Sequence, residues 1–167
     1  MIDFPKLLRL LTEHDVAFII IGGVAAVIHG SSRLTQDLDV VYQRSPQNLT
    51  RLVQALAEQS PYLRGVPPGL PFQWSVATLR MGLNFTLDTS LGDVDVIGEA
   101  AGRGTYDELL PDSFEVSAVG RRFLCVQLER LIQLKRAAGR AKDLLAVAEL
   151  QSLLEERRKL KRPGGTS

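Results

Sequence analysis

The sequence predicts one α/β domain with a mixed, largely antiparallel sheet, flanking helices and a C-terminal helical pair. Three observations carry this. The N-terminal part alternates helical and strand patterns in the order α-β-α-β-α. Short apolar runs joined by glycine turns follow, which read as antiparallel hairpins. The chain then turns helical from Gln127 onward. That order argues against a doubly wound parallel sheet.

Each element has a local reason. Asp3 can cap a helix with Pro5 in its first turn, and Phe4, Leu7, Leu8 and Leu11 share one face. Val16 to Ile21 is almost purely β-branched and aromatic, and reads as a strand buried on both faces. Gly22-Gly23 breaks it, and Val24 to His29 is a short helix closed by Gly30. Asp37 to Tyr42 is the next strand. Ser45 caps a helix opened by Pro46, whose buried face is Leu49, Leu52, Val53 and Leu56.

Residues 60 to 72 hold Pro61, Gly65, Pro67, Pro68, Gly69 and Pro71 and form a long loop, either a lid or an irregular connector. Leu83 to Asp88 and Asp93 to Ile97 form a hairpin through Thr89-Ser90-Leu91-Gly92. A short helix near Tyr106 to Leu110 follows, then a second hairpin, Phe114 to Val119 and Arg122 to Val126, turning at Gly120-Arg121. Two helices end the chain, Gln127 to Ala138 and Arg140 to about Arg158, with Gly139 at the break. Residues 1–158 read as a single domain and 159–167 as a basic, disordered tail.

Bulk properties exclude several classes. The 167 residues can bury a core without disulfides, and the single cysteine, Cys125, lies in an apolar context and reads as core. One cysteine and two histidines do not make a zinc site. The run from Val16 to Ile28 is too short to span a bilayer, and the first residues lack a secretion pattern, so the expected location is cytoplasmic, with no membrane partner. A net charge of +1 does not argue for nucleic acid, although Arg157, Arg158, Lys159, Lys161 and Arg162 cluster near the C-terminus.

The chemistry lies in the acids. Alternate strand residues share a face, so Asp37 and Asp39 point one way, while Leu38 and Val40 point the other. Like charges about 7 Å apart near a core repel and are costly to desolvate. A divalent cation removes that cost, and magnesium favours carboxylates together with substrate phosphates. Asp93 and Asp95 repeat the acid-apolar-acid pattern on a later strand. Three carboxylates converging on divalent cations suit in-line phosphoryl or nucleotidyl transfer. Gly22-Gly23 at a strand end lets the backbone approach a phosphate closely.

These residues resemble a known family. Gly22-Gly23, a short helix and then Thr35-Gln36-Asp37-Leu38-Asp39-Val40 are similar to the signature of the nucleotidyltransferase superfamily. That fold is shared by DNA polymerase beta, CCA-adding enzymes and small antibiotic adenylyltransferases. His29 to Thr35, Leu91 to Asp95 and Lys135 to Asp143 resemble small nucleotidyltransferases related to abortive-infection toxins. The resemblance covers about residues 4 to 150.

It implies that Asp37, Asp39 and Asp95 bind magnesium, or manganese in its place, with Asp95 also activating the acceptor hydroxyl. Asp93 is the rival for that third role, and Asp88 a more distant one. Gly22 and Gly23 would hold the triphosphate of an NTP. Arg33 and Thr35 would lie near its phosphates, and Lys135 and Arg140 would reach the phosphates or the acceptor. Lys142 and Asp143 read as a structural salt bridge or capping contact, His29 as a packed histidine, and Trp74 as an anchor for its loop.

The implied activity is transfer of a nucleoside monophosphate from an NTP to a hydroxyl, with release of pyrophosphate. The acceptor is open among RNA, protein and small molecules, with the basic C-terminal helix favouring RNA. A toxin role beside an antitoxin is a further implication. The alternatives are a non-catalytic module of the same fold that pairs with another protein, and a two-metal nuclease.

Overall fold

The computed structural model describes residues 2–161; the end of the expected tail, 162–167, lies outside the described residues. Helix α1 (Phe4–Glu13) starts where the Asp3 carboxylate accepts the Lys6 N–H, and buries Leu7, Leu8 and Leu11. Strand β1 (Phe18–Ile21) is buried along its whole length. It begins at Phe18 rather than Val16 because the Ala17 N–H is taken by the Asn48 side chain at 2.6 Å.

Helix α2 (Gly22–Ile28) follows with no intervening residue, so the two glycines form its first turn instead of preceding it. Strand β2 (Asp37–Tyr42) buries Leu38 and Val40 completely and leaves Asp37 and Asp39 half-buried on its other face. Helix α3 (Pro46–Leu56) is capped by Ser45, as the sequence predicts.

The proline-rich stretch is more ordered than its composition suggests. It opens with a two-residue strand β3 (Tyr62–Leu63) and leads into helix α4 (Val76–Met81), capped by Ser75. Strands β4 (Asn84–Thr89) and β5 (Gly92–Ile97) form the first expected hairpin. A small separate ribbon, β6 (Glu99–Ala100) with β7 (Gly104–Thr105), leads to helix α5 (Tyr106–Leu109). Strands β8 (Ser113–Ala118) and β9 (Arg121–Val126) form the second hairpin. Its turn is Val119-Gly120, one residue earlier than expected, with φ of 51° and 72°. Positive φ at both positions is the two-residue turn whose twist matches antiparallel strands.

Helices α6 (Leu128–Ala138) and α7 (Ala141–Lys161) close the chain, separated at Gly139, where φ is 68°. Helix α7 continues to Lys161, past the expected helix end at Arg158.

The main sheet has the order β3-β4-β5-β2-β1-β9-β8. The β2–β5 and β1–β9 pairs are parallel and the other four neighbours antiparallel, so the sheet is mixed and largely antiparallel, as predicted. Its centre is a continuous hydrophobic core in which Ile19, Ile20, Leu38, Val40, Val94 and Val96 have no exposed surface. Burying each such side chain contributes roughly 1.5–3 kcal/mol. No helix among the described residues is long and apolar enough to cross a membrane.

Candidate active site

Pairing of β2 with β5 assembles the site. The parallel register sets Asp37 beside Asp93 and Asp39 beside Asp95, and the antiparallel β4–β5 register adds Asp88 beside Asp93. Directly paired residues share a face, so five carboxylates stand on one side of three adjacent strands. Among them, Asp37, Asp39 and Asp95 each offer an oxygen within 4.8 Å of the others.

Asp39 is the tightest member. Its Oδ1 is buried with no hydrogen-bond partner. Burial first, and then the charges of Asp95 and Asp37, push its pKa up to about 7. Three hard oxygen donors with one orphaned oxygen fit a magnesium or manganese ion.

The glycine turn is built against these acids. Gly22 has φ of 69°, and a Cβ there would run into the Asp39 carboxylate. A Cβ on Gly23 would strike the Thr35 side chain, whose hydroxyl donates to the Asp37 carbonyl at 3.2 Å. The absence of side chains at 22 and 23 therefore leaves room for the Asp39 carboxylate and the Thr35 hydroxyl to sit against the turn.

Two open cavities meet at Asp39. One, of about 350 Å³, is lined by Gly23, Arg33, Thr35, Asp37, Lys135 and Arg140 together with Asp39. The other, of about 250 Å³, lies on the Asp95 side, with Gly22 at its wall and the apolar side chains Leu131, Leu134 and Ala138 of α6 beside it. Lys135 and Arg140 border both. Burial lowers the Lys135 pKa, against the pull of Asp143 and Asp39. Arg140 is oriented by Asp143 at 2.7 Å, and Arg33 pairs with Glu149 at 3.2 Å.

One residue of the cluster escapes sequence reasoning. The Arg64 backbone N–H bonds to the Thr86 carbonyl at 2.9 Å, fixing the residue at the end of β3. Its guanidinium lies 2.8 Å from Asp95, 3.3 Å from Asp93, 3.4 Å from Asp88 and 4.0 Å from Asp37. The cluster of acids is the signal that a cation is needed, but no spacing in the chain points to residue 64.

No family model and no curated protein sequence matches the chain. Solved structures do. The lincosamide antibiotic adenylyltransferase LnuA, bound to lincomycin, superposes with a TM-score of 0.57 at 16% identity, over 91% of this chain and 98% of that one. A Thermotoga maritima protein described as a candidate nucleotidyltransferase gives 0.54 at 17% identity, over 94% of this chain and 97% of that one. The chain has the nucleotidyltransferase fold. These likenesses do not extend to the abortive-infection subtype.

Within the nucleotidyltransferase fold His29, Trp74, Cys125 and Asp143 have structural roles, whereas Lys142 forms no ion pair among the described residues. His29 is buried, with Nε2 2.8 Å from the Val126 carbonyl and its ring against Phe114. Trp74 donates Nε1–H to the Val53 carbonyl at 3.0 Å and so ties its loop to α3. Cys125 is buried in the core. Asp143 pairs with Arg140, while Lys142 lines the larger cavity.

Proposed function

We propose that the protein is a nucleotidyltransferase that moves a nucleoside monophosphate from an NTP to a hydroxyl acceptor. The observation that carries this reading is the approach of Asp37, Asp39 and Asp95 to within 4.8 Å of one another beside the Gly22–Gly23 turn. The nucleotide triphosphate occupies the larger cavity, where Arg33, Lys135, Arg140 and Lys142 supply positive charge. The acceptor enters from the Asp95 side, where apolar α6 residues offer a surface for its carbon skeleton.

The acceptor oxygen bonds to the α-phosphorus as the bond to the bridging oxygen of the β-phosphate breaks. Pyrophosphate leaves, and the hydroxyl proton passes to Asp95. Magnesium or manganese held by Asp37, Asp39 and Asp95 would neutralise phosphate charge and acidify the acceptor hydroxyl. Lys135 holds charge against the phosphates, and Thr35 fixes the strand entry through the Asp37 carbonyl.

LnuA is named for adenylyl transfer to lincosamide antibiotics, which supports ATP as donor and a small hydroxyl compound as acceptor. An RNA or protein acceptor, and a toxin role beside an antitoxin, draw on no feature of this site. Use of NTPs and magnesium suits a cytoplasmic protein. Residues 2–158 would serve as one catalytic domain.

Incubation with labelled NTPs, magnesium and a pool of small hydroxyl compounds, RNA and proteins tests the reading. Label transfer with pyrophosphate release is expected, reduced at least about 100-fold in Asp37→Ala. Equal behaviour of wild type and variant would refute catalysis and favour the non-catalytic module. Phosphodiester cleavage without pyrophosphate would favour a nuclease.

A further inference from the structure

Arg64 divides the carboxylate face into two unequal halves. Its Nη2 donates to Asp95 Oδ1 at 2.8 Å and to the Leu87 carbonyl at 2.9 Å. Its Nε lies 3.3 Å from Asp93 and 3.4 Å from Asp88, while Nη1 reaches only to 4.0 Å from Asp37. No ion pair joins it to Asp39 among the described residues, and Asp39 keeps a buried oxygen without a partner. One half of the face, around Asp88 and Asp93, therefore already has a cation. The other half, at Asp39 beside Gly22, has no ion-paired cation among the described residues; Lys135 acts on it only from across the cavity.

The guanidinium is a suitable occupant of that first half. It is planar, permanently charged and presents five donors in a fixed fork, so it can serve several carboxylates at once from one position. It is fixed by the β3–β4 ladder rather than carried on a free loop, since Tyr62 and Leu63 pair with Asp88 and Leu87. Its side chain is 27% exposed, which limits competition from water and salt. A divalent ion placed between Asp88 and Asp93 would have to displace it or suffer its repulsion.

We propose that Arg64 is a tethered counter-cation that fills the Asp88–Asp93 half of the face. In the protein without nucleotide it thereby confines divalent-ion binding to one site, at Asp37, Asp39 and Asp95. The inference rests on the metal-dependent transferase reading and deepens it. It gives Asp95 rather than Asp93 the role of third acid. It makes Arg64 a positioning residue, which holds one Asp95 oxygen and leaves the carboxylate turned toward Asp39. A second ion would then enter only with the phosphates of the nucleotide.

Titration of nucleotide-free protein with Mn²⁺, following the free-ion signal by electron paramagnetic resonance, tests this. Wild type should bind one ion, Arg64→Gln should bind a second, and the double variant Arg64→Gln/Asp93→Asn should lose that second ion again. Mn²⁺ should also raise the melting temperature of Arg64→Gln more than that of wild type, because the ion replaces the missing charge. Should Arg64→Gln fail to fold, Asp93→Asn alone decides the matter. It should still bind one ion, with affinity within about fivefold of wild type; a larger loss would mean that Asp93 holds the ion. One ion bound by wild type and the same number, equally tightly, by Arg64→Gln would remove the role of Arg64 and leave the transferase reading intact. Two ions bound by nucleotide-free wild type would also overturn the inference. Absence of ion binding in both proteins would remove the transferase reading along with it.

Discussion

Asp39 holds its proton up to about pH 7, because burial and the neighbouring charges of Asp95 and Asp37 oppose its ionisation. An aspartate in the unfolded chain ionises near pH 4. Between these values the folded protein retains a proton that the unfolded chain releases. Stability of the metal-free protein should therefore fall as pH rises from about 4 to about 7, and the full penalty applies above pH 7. Asp39→Asn removes the penalty. Its advantage in denaturant unfolding should be on the order of 2–4 kcal/mol at pH 8 and should vanish near pH 4. Magnesium should stabilise wild type at pH 8 and have little effect on this variant. Gly22 makes a second prediction at this scale. An alanine there would need a left-handed backbone at φ of 69° and would collide with the Asp39 carboxylate. Gly22→Ala should lose about 1–3 kcal/mol of stability and its ion binding together, measurable by thermal melts with and without Mn²⁺.

The elements are joined at a few polar points, of which Asn48 is the clearest. Fully buried on α3, it accepts the Ala17 N–H at 2.6 Å and donates to the carbonyls of Ala17 and Gln43 at 3.0 and 2.7 Å. It thereby ties α3 to the start of β1 and the end of β2. Asn48→Ala would leave these backbone groups without that partner and should cost about 2–4 kcal/mol, read as a lower urea midpoint with an unchanged slope. Long elements such as these were legible in the sequence. Strand β2 shows alternation from Asp37, Ser45 and Pro46 announce α3, and Gly139 marks the break between α6 and α7. The short ones were not. Strand β3 has two residues and α4 has six, too few to show a period. The rivalry of Asp93 and Asp95 could not be resolved from the chain either, since both lie on one face of β5. The β2 register sets Asp95 against Asp39, the residue beside the glycine turn, which supports Asp95 in the proposed site. Arg64 was invisible for a related reason: its seat depends on the β3–β4 ladder, which brings together residues far apart in sequence.

At the scale of the whole molecule, the sheet supplies the acids and the C-terminal helices supply the facing cations. Lys135 and Arg140 border both cavities around Asp39, so nucleotide binding should clamp α6 and α7 to the sheet. ATP with magnesium at about 100 times its dissociation constant should stabilise the fold by about 2.7 kcal/mol. For a domain of this size that is a rise of roughly 5–10 °C in melting temperature. Lys135→Ala should lose most of the shift. The most direct test of the site itself is a crystal structure with Mn²⁺ and a non-hydrolysable NTP analogue. Anomalous density for manganese should lie between Asp37, Asp39 and Asp95, with the triphosphate running past Gly23 toward Lys135. Manganese elsewhere, or a triphosphate bound away from the glycine turn, would contradict the assignment.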